Sequence, residues 1–175
     1  MVLSLSPGPA IIDEAEHLCA NANMWRMTGD FWDDWNKLDA TFERCEKWYP
    51  YVKEGCWPDC DMLPLGKLCI NAPCCGEAGR YCSLTQAEQV TMMTLWSIFR
   101  SPLIFGGDLP SNDEFTLELI TNDEVIEVNQ RSHGAKPVHC GKDYVIWQSE
   151  AADGDSLIAI FNRTDTVLAD TLPLP

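Results

Sequence analysis

The stretch "NMWRMTGDFWDDWNKLDATFERCEKWYPYV", residues 23–52, decides the fold of this chain. Its first part, "NMWRMTGD", is strand-like and then breaks at a glycine. Its second part places Trp35, Leu38 and Phe42 at helical spacing, and Pro50 ends the pattern because proline cannot continue a helix. A strand that leads directly into an amphipathic helix is the repeating unit of an α/β protein with a parallel sheet.

The same unit recurs on both sides of this stretch. "MVLSLS" is a short apolar strand ended by a Pro-Gly-Pro turn, and residues 11–22 after it have helical spacing. "DMLPLG" and the continuous apolar run "SPLIFGG" are predicted as two further strands. Helices are predicted after three capping-box patterns, which lie at Thr85 and Glu88, at Ser111 and Glu114, and at Thr121 and Glu124.

Four strand–helix units are half of a (β/α)8 barrel, which typically needs about 250 residues. A doubly wound sheet is the alternative, but the phosphate-binding pattern G-x-G-x-x-G is absent from the sequence. From about residue 131 the pattern changes, because "DYVIWQSE" and "DSLIAIFNRTD" are strands joined by the turn "AADGD". We therefore predict an α/β fold in which residues 1–130 form half of a barrel and residues 131–175 begin an antiparallel β domain.

Composition limits the partners and the location of the chain. The formal net charge is −15, which disfavours nucleic acid and anionic membranes as partners but is compatible with a neutral, hydroxyl-rich substrate. The N-terminus "MVLSLSPGPA" lacks the basic start and long apolar core of a signal peptide, which slightly favours the cytoplasm. The nine cysteines are expected to be mostly reduced and partly buried. No metal and no cofactor are predicted.

Chemistry in such a barrel lies where the strands end. The residues expected at this mouth are Asp30, Asp61, Asp108, Arg26, Trp25 and Trp57. Carboxylates and arginine hydrogen-bond to hydroxyl groups, and tryptophan stacks on the apolar face of a sugar ring. Hydrolysis of a glycosidic bond needs two carboxyl groups, about 5 to 5.5 Å apart in retaining enzymes. The pattern therefore favours a sugar-binding site.

Structural roles compete with this interpretation. An aspartate after a strand is most often a helix N-cap, and this role is the favoured one for Asp108. Asp33 and Asp34 are predicted to be acidic first-turn residues that suit the helix dipole. The tryptophans at helical spacing, which are predicted to be core residues, are Trp32, Trp35 and Trp48.

Four motifs carry a specific resemblance. "NMWRMTGDFWD", "WPDCDMLPLG", "TMMTLWSIFRSPLIFGGDL" and "LITNDEVIEVNQ" together closely resemble glycoside hydrolase family 27, the α-galactosidase (melibiase) family. The resemblance runs from about residue 3 to residue 165. It implies a (β/α)8 barrel followed by an antiparallel β-sandwich, of which this chain would hold about strands 5–8 and the start of the sandwich.

The resemblance also implies an activity and a set of site residues. The activity is retaining hydrolysis of terminal α-D-galactosides by two aspartates, without a cofactor. The family pattern W-R-x-x-x-D, here Trp25, Arg26 and Asp30, implies Asp30 as the acid/base. Arg26, Trp25 and Asp61 are implied as substrate contacts.

Two departures of this sequence from the family pattern bear on activity and on the sugar. The family's nucleophile lies in a K-x-D strand, and no such strand precedes residue 1. We therefore expect an acid/base without a nucleophile, and one carboxylate cannot run a double displacement. Where many members have a C-E-W loop that reads the sugar, this chain has "SLSPGP", which leaves the exact sugar open.

Two other classes of function stay open. A half barrel leaves sheet edges at residues 2–6 and 102–106, which invite a partner chain or self-association, so the chain is alternatively a non-catalytic carbohydrate-binding or assembly subunit. A zinc-binding module is the other alternative, although the spacing of its candidate ligands does not match paired C-x2-4-C sites. Those candidate ligands are Cys69, Cys74, Cys75 and Cys82.

Overall fold

A computed structural model describes residues 1–71, 73, 74 and 77–169. Three short parallel strands form its first sheet in the order β1-β2-β3. They are β1 (Ser4–Leu5), β2 (Met24–Arg26) and β3 (Trp57–Asp59). A single parallel bridge between Leu63 and Phe105 follows beside them.

Two of the predicted strands are wrong. The strand expected in "DMLPLG" lies earlier, as β3 in "WPD", and "SPLIFGG" contains only the bridge at Phe105. Glycines explain the second error, because Gly106 and Gly107 press against the segment that contains Met62 and Leu65 and leave no room for side chains. An apolar run with two such glycines packs as a close loop and does not extend as a strand.

Five α-helices surround this sheet in the described part of the chain. They are α1 (Ala15–Asn21), α2 (Trp35–Trp48), α3 (Gln86–Phe99), α4 (Glu114–Ile120) and α5 (Asp123–Arg131). The capping box of Thr85 and Glu88 is confirmed at the start of α3. The other two capping boxes are wrong, because α4 is capped by Asp113 and α5 by Asn122.

A small antiparallel hairpin is inserted between β3 and α3. Its strands are β4 (Lys67–Leu68) and β5 (Arg80–Tyr81). A disulfide joins Cys69 to Cys74 inside the hairpin, so these two cysteines do not act as thiolate ligands of zinc. Cys75 lies outside the described residues, and the described ones contain no cluster of metal-ligating side chains.

The last part of the chain is an antiparallel sheet with the order β6-β7-β8. Its strands are β6 (His133–Cys140), β7 (Tyr144–Glu150) and β8 (Ser156–Asn162). The predicted hairpin is confirmed, because β7 and β8 pair from Tyr144 with Asn162 to Glu150 with Ser156. Residues 170–175 lie outside the described part, and the division into domains 1–130 and 131–175 stays a prediction.

One hydrophobic core connects the helices with both sheets. The largest fully buried side chains include Trp25 on β2, Trp96 on α3 and Trp147 on β7. Trp147 packs edge-to-face against Phe99 and Tyr49, with ring centroids 6.0 and 6.1 Å apart. None of the helices in the described residues is long and apolar enough to cross a membrane.

Candidate active site

The site is built around Arg26, the last residue of β2. Side chains alternate along a strand, so Arg26 and Trp25 point to opposite faces of the sheet. Arg26 is in register with Asp59, the last residue of β3. The arginine therefore lies where two parallel strands end, which is the end of an α/β sheet at which ligands bind.

Arg26 joins two carboxylates that come from different loops. Its Nη2 lies 2.9 Å from Oδ1 of Asp30 and 3.2 Å from Oδ2 of Asp61. The side chains of Arg26 and Asp61 are each 16% exposed, whereas that of Asp30 is 82% exposed. The structure thus brings Arg26, Asp30 and Asp61 together, as the sequence predicts, and leaves Asp30 open to solvent.

The loop from β2 to α2 fixes the backbone of Asp30. The amide of Phe31 donates to Oδ2 of Asp61 at 2.7 Å, and the buried Phe31 ring packs edge-to-face on Trp96 at 5.0 Å. In the same peptide group, Nζ of Lys37 donates to the carbonyl oxygen of Asp30 at 2.9 Å. The peptide group between Asp30 and Phe31 is therefore held through both its oxygen and its nitrogen, and the side chain of Asp30 is bound to Arg26.

Asp61 is held in a backbone conformation that few residues other than glycine adopt. Its φ is +78°, in the left-handed region, which costs about 1–3 kcal/mol in a residue with a side chain. Three hydrogen bonds fix it there: its amide donates to Oδ1 of Asp59, Nε1 of Trp96 donates to its carbonyl oxygen, and its carboxylate accepts from Phe31. Strain that is held by several contacts is a feature of functional sites.

Asp59 was not identified from the sequence and is part of the same cluster. It is 3% exposed, and burial raises the pKa of its carboxyl group to about 6. The hydrogen bond from the Asp61 amide and the charge of Arg26 oppose this rise in pKa, and the charge of Asp61 adds to it. The signal in the sequence is that a second aspartate, Asp59, lies two residues before Asp61, at the end of a strand.

Three predicted residues lie elsewhere. Trp25 is fully buried below the mouth and packs on Trp48, with ring centroids 6.0 Å apart. Trp57 begins β3, at the opposite end from the site, and lies under the guanidinium of Arg100. Asp108 begins a short 3-10 turn and accepts a hydrogen bond from the Ser111 hydroxyl, which agrees with a structural role.

The acidic pair after Asp30 also differs from the prediction. Asp34 is the N-cap of α2, where its carboxylate accepts from the amide of Asn36 at 2.8 Å. Asp33 is not in the first turn, because it precedes the N-cap Asp34, and it is buried and paired with Arg80. Among the helical tryptophans, Trp48 is buried and Trp35 is half-buried against the core, as predicted.

A cleft of about 300 Å³ lies beside the loop between β2 and α2 (the acid loop, residues 27–34) and is lined by Thr28, Asp30, Lys37 and Arg44. Carboxylates and cations at the ends of parallel strands can accept and donate hydrogen bonds to several hydroxyl groups at once. The exposed Asp30 can in addition exchange a proton with a bound group. Fold and site together define an α/β protein with a carboxylate–arginine centre suited to a sugar ring.

Comparison with known proteins identifies the family. The model of the alpha galactosidase A family matches residues 10–131. The chain belongs to glycoside hydrolase family 27, the α-galactosidase family, and the resemblance predicted from the four motifs is confirmed.

Individual relatives agree with this assignment. The chain is 32% identical to alpha-galactosidase 2 of Arabidopsis thaliana over 143 residues, which is 81% of this chain and 33% of that protein. It is also 32% identical to the alpha-galactosidase of Cyamopsis tetragonoloba, over 82% of this chain and 32% of that protein. The chain therefore spans about a third of the length of the curated relatives that it matches.

A solved structure is more similar. The family 27 β-L-arabinopyranosidase of Geobacillus stearothermophilus is 54% identical and superposes with a TM-score of 0.89. The match covers 92% of this chain and 37% of that enzyme.

Proposed function

We propose that this chain supplies the acid/base part of a retaining family 27 glycosidase site. In this proposal it forms about strands 5–8 of the barrel and the beginning of the β-sandwich. The observation that carries the proposal is the position of Arg26 Nη2, within 3.2 Å of a carboxylate oxygen of both Asp30 and Asp61. Arg26 lies between the exposed carboxylate of Asp30 and the half-buried carboxylate of Asp61, so the two carboxylates can have different roles.

Asp30 is the proton donor in this proposal. Its side chain is 82% exposed, so that it can reach the glycosidic oxygen of a bound sugar. It gives its proton to the leaving oxygen as the C1–O bond breaks, and then takes a proton from the water that hydrolyses the covalent intermediate. Arg26 and Asp61 bind sugar hydroxyl groups. Nε of Arg26 is buried without an acceptor among the described residues, so this guanidinium still has a donor to offer.

The nucleophile is a second carboxylate that we expect on another polypeptide segment. Asp61 is unsuited to that task because its carboxylate already accepts from the Phe31 amide and Arg26. The described site thus offers one exposed carboxylate, Asp30, where a retaining glycosidase uses two. The 175-residue chain alone is therefore expected to be inactive.

The substrate class follows from the relatives. The curated relatives are α-galactosidases, which favours terminal α-D-galactosides. The 54% identity to a β-L-arabinopyranosidase favours a second candidate, the corresponding pentoside. The two sugars present the same ring hydroxyls, since β-L-arabinopyranose is α-D-galactopyranose without its C6 hydroxymethyl group.

A complementation assay tests the proposal. The chain is produced alone and together with a polypeptide that carries the first four strand–helix units of a family 27 barrel. We expect 4-nitrophenyl α-D-galactoside or β-L-arabinopyranoside to be hydrolysed only by the pair, and the ratio of the two rates names the sugar. Asp30→Asn should abolish turnover, and the matched surface change Asp153→Asn should not. Hydrolysis by the chain alone, or by the Asp30→Asn pair, would contradict the proposal.

An assembly subunit without catalysis is the second candidate. Among the described strands, β1 pairs with β2 alone, and next to its other edge Met1, Val2 and Leu3 are exposed. An unpaired edge with apolar neighbours favours addition of another strand. If the pair forms and binds galactose but hydrolyses neither glycoside, this second function is the correct one.

A further inference from the structure

An ion pair ties the inserted hairpin to the acid loop. Nη1 and Nη2 of Arg80 donate to Oδ2 and Oδ1 of Asp33 at 2.5 and 2.7 Å, so the pair is bidentate. The amide of Ser83 donates to Oδ2 of Asp33 at 2.6 Å. The side chain of Asp33 is 2% exposed and that of Arg80 is 15% exposed. This is a buried contact between segments that are 47 residues apart.

Its position makes the contact important for the site. Asp33 is three residues after Asp30 in the loop that leads from β2 to α2. Before Asp33 the loop is fixed by Phe31, and after it Asp34 caps α2. The ion pair with Arg80 is the intermediate anchor, and it comes from the hairpin of β4 and β5, which follows β3 in the sequence.

We propose that Arg80 is a positioning residue for Asp30, and that the hairpin is a brace that keeps the acid loop in its working conformation. The inference rests on the proposed role of Asp30. Arg80 is not among the residues that line the cleft, and it binds this loop through Asp33. It is itself fixed within the hairpin, because its Nη1 also donates to the carbonyl oxygen of Tyr81.

The geometry explains why an arginine is required. A planar guanidinium makes two parallel hydrogen bonds to one carboxylate, which fixes the orientation of both groups. A lysine at position 80 keeps the charge but makes one bond at a time. It should therefore hold the acid loop less firmly than arginine and more firmly than an uncharged side chain.

Amide hydrogen exchange tests the brace on the chain itself, without any need for activity. In Arg80→Met, the acceleration of exchange at the amides of Phe31, Asp34 and Ser83 should exceed the acceleration at amides of α3 and α5 by at least about tenfold. Arg80→Lys should give an intermediate rate. Arg131→Met, which removes an arginine from an exposed pair with Glu127, is the matched control and should change none of these rates. Equal acceleration throughout the chain, or none, would overturn the inference.

Kinetics of the complemented enzyme give the second measurement. Arg80→Met should lower kcat by about 100-fold with little change in KM, because a displaced acid slows the chemical step more than it weakens binding. Arg80→Lys should recover part of kcat. A change in KM alone would overturn the positioning role. If the complemented wild type is inactive, the proposed function fails, and hydrogen exchange still decides whether the brace exists.

Discussion

At the scale of single residues, Asp59 couples the site to pH. Its pKa is raised by burial to about 6 in the folded chain, above the ordinary value of an aspartate. Between about pH 4 and 6 the folded state keeps a proton that the unfolded state has lost, so this residue makes the free energy of unfolding fall as pH rises. Above about pH 6 the Asp59 carboxyl group is charged in the folded chain, and burying this charge lowers the free energy of unfolding.

Asp59→Asn should therefore stabilise the chain at pH 7 by about 2–3 kcal/mol and leave its stability at pH 4 unchanged. The amide oxygen of asparagine can still accept from Asp61, so the hydrogen bond is kept. Urea unfolding of both proteins at the two pH values measures the difference. Equal stability at pH 7 would show that the carboxyl group is not buried in its charged form.

Asp33 has the opposite dependence on pH. Burial disfavours its charge, but the hydrogen bonds from Arg80 and from Ser83 outweigh burial, and the pKa of Asp33 is lowered. A depressed pKa contributes stability that is present at neutral pH and is lost as pH falls through the folded pKa. The ion pair of Asp33 with Arg80 therefore stabilises the folded chain at neutral pH and is lost in acid.

Arg80→Met should destabilise the chain by about 3–5 kcal/mol at pH 7, because it leaves a buried charge without a partner. The double variant with Asp33→Asn should lose less, since no charge is then left behind. Chemical denaturation of the single and double variants measures the coupling. A double variant that loses the sum of the two single losses would contradict a paired interaction.

At the scale of elements, the segment after Phe105 depends on two glycines. A Cβ on Gly107 would lie 2.0 Å from the Leu65 carbonyl oxygen, and one on Gly106 would lie 2.5 Å from the Met62 sulfur. A backbone oxygen cannot give way, whereas a methionine side chain can. The segment after Phe105 can therefore approach residues 62–65 this closely only because positions 106 and 107 are glycines.

Gly107→Ala should destabilise the chain by about 2–3 kcal/mol, and Gly106→Ala by less. Gly29→Ala is the matched control, because its Cβ would meet only Pro9 at 3.9 Å and its cost should stay within about 0.5 kcal/mol. Thermal unfolding of the three variants gives the order. If the Gly107 variant is the least affected, the close contact does not exist.

The helices could be predicted from the sequence more readily than the short strands. The helices were predictable because spacing and caps such as Thr85 are local. The short strand β3 was missed because Trp57–Asp59 contains a proline and gains its structure only from pairing with β2. In the site, Arg26, Asp30 and Asp61 follow strands and could be found. Asp59 was missed although it lies two residues before Asp61, because its burial depends on contacts that only the fold creates.

At the scale of the whole molecule, the antiparallel sheet β6-β7-β8 packs on helices that precede it in the sequence. Phe161 on β8 meets Phe42 on α2 at 5.1 Å, and Nε of Arg163 binds Oδ1 of Asp39 at 2.6 Å. These contacts join segments more than a hundred residues apart. We infer that the two parts unfold together even if they are separate domains of the family.

Trp147→Ala should lower the free energy of unfolding by about 3–5 kcal/mol and keep a single transition. Its ring lies between Phe99 and Tyr49, so its loss opens a cavity at the junction. Ile158→Ala, at a partly exposed position on β8, is the control and should cost far less. Calorimetry that resolved two transitions in the wild type would contradict a common unfolding unit.

The left-handed backbone of Asp61 has a consequence for how this chain can evolve. A glycine there would relax the main chain but remove the carboxylate that accepts from Phe31 and pairs with Arg26, so in variants chosen only for heat resistance Asp61→Gly should appear together with a change that also neutralises Arg26. Each such gain would erase a sugar contact that the proposed function requires. Laboratory selection for thermal stability without a screen for sugar binding would therefore yield a more stable protein that no longer binds the sugar.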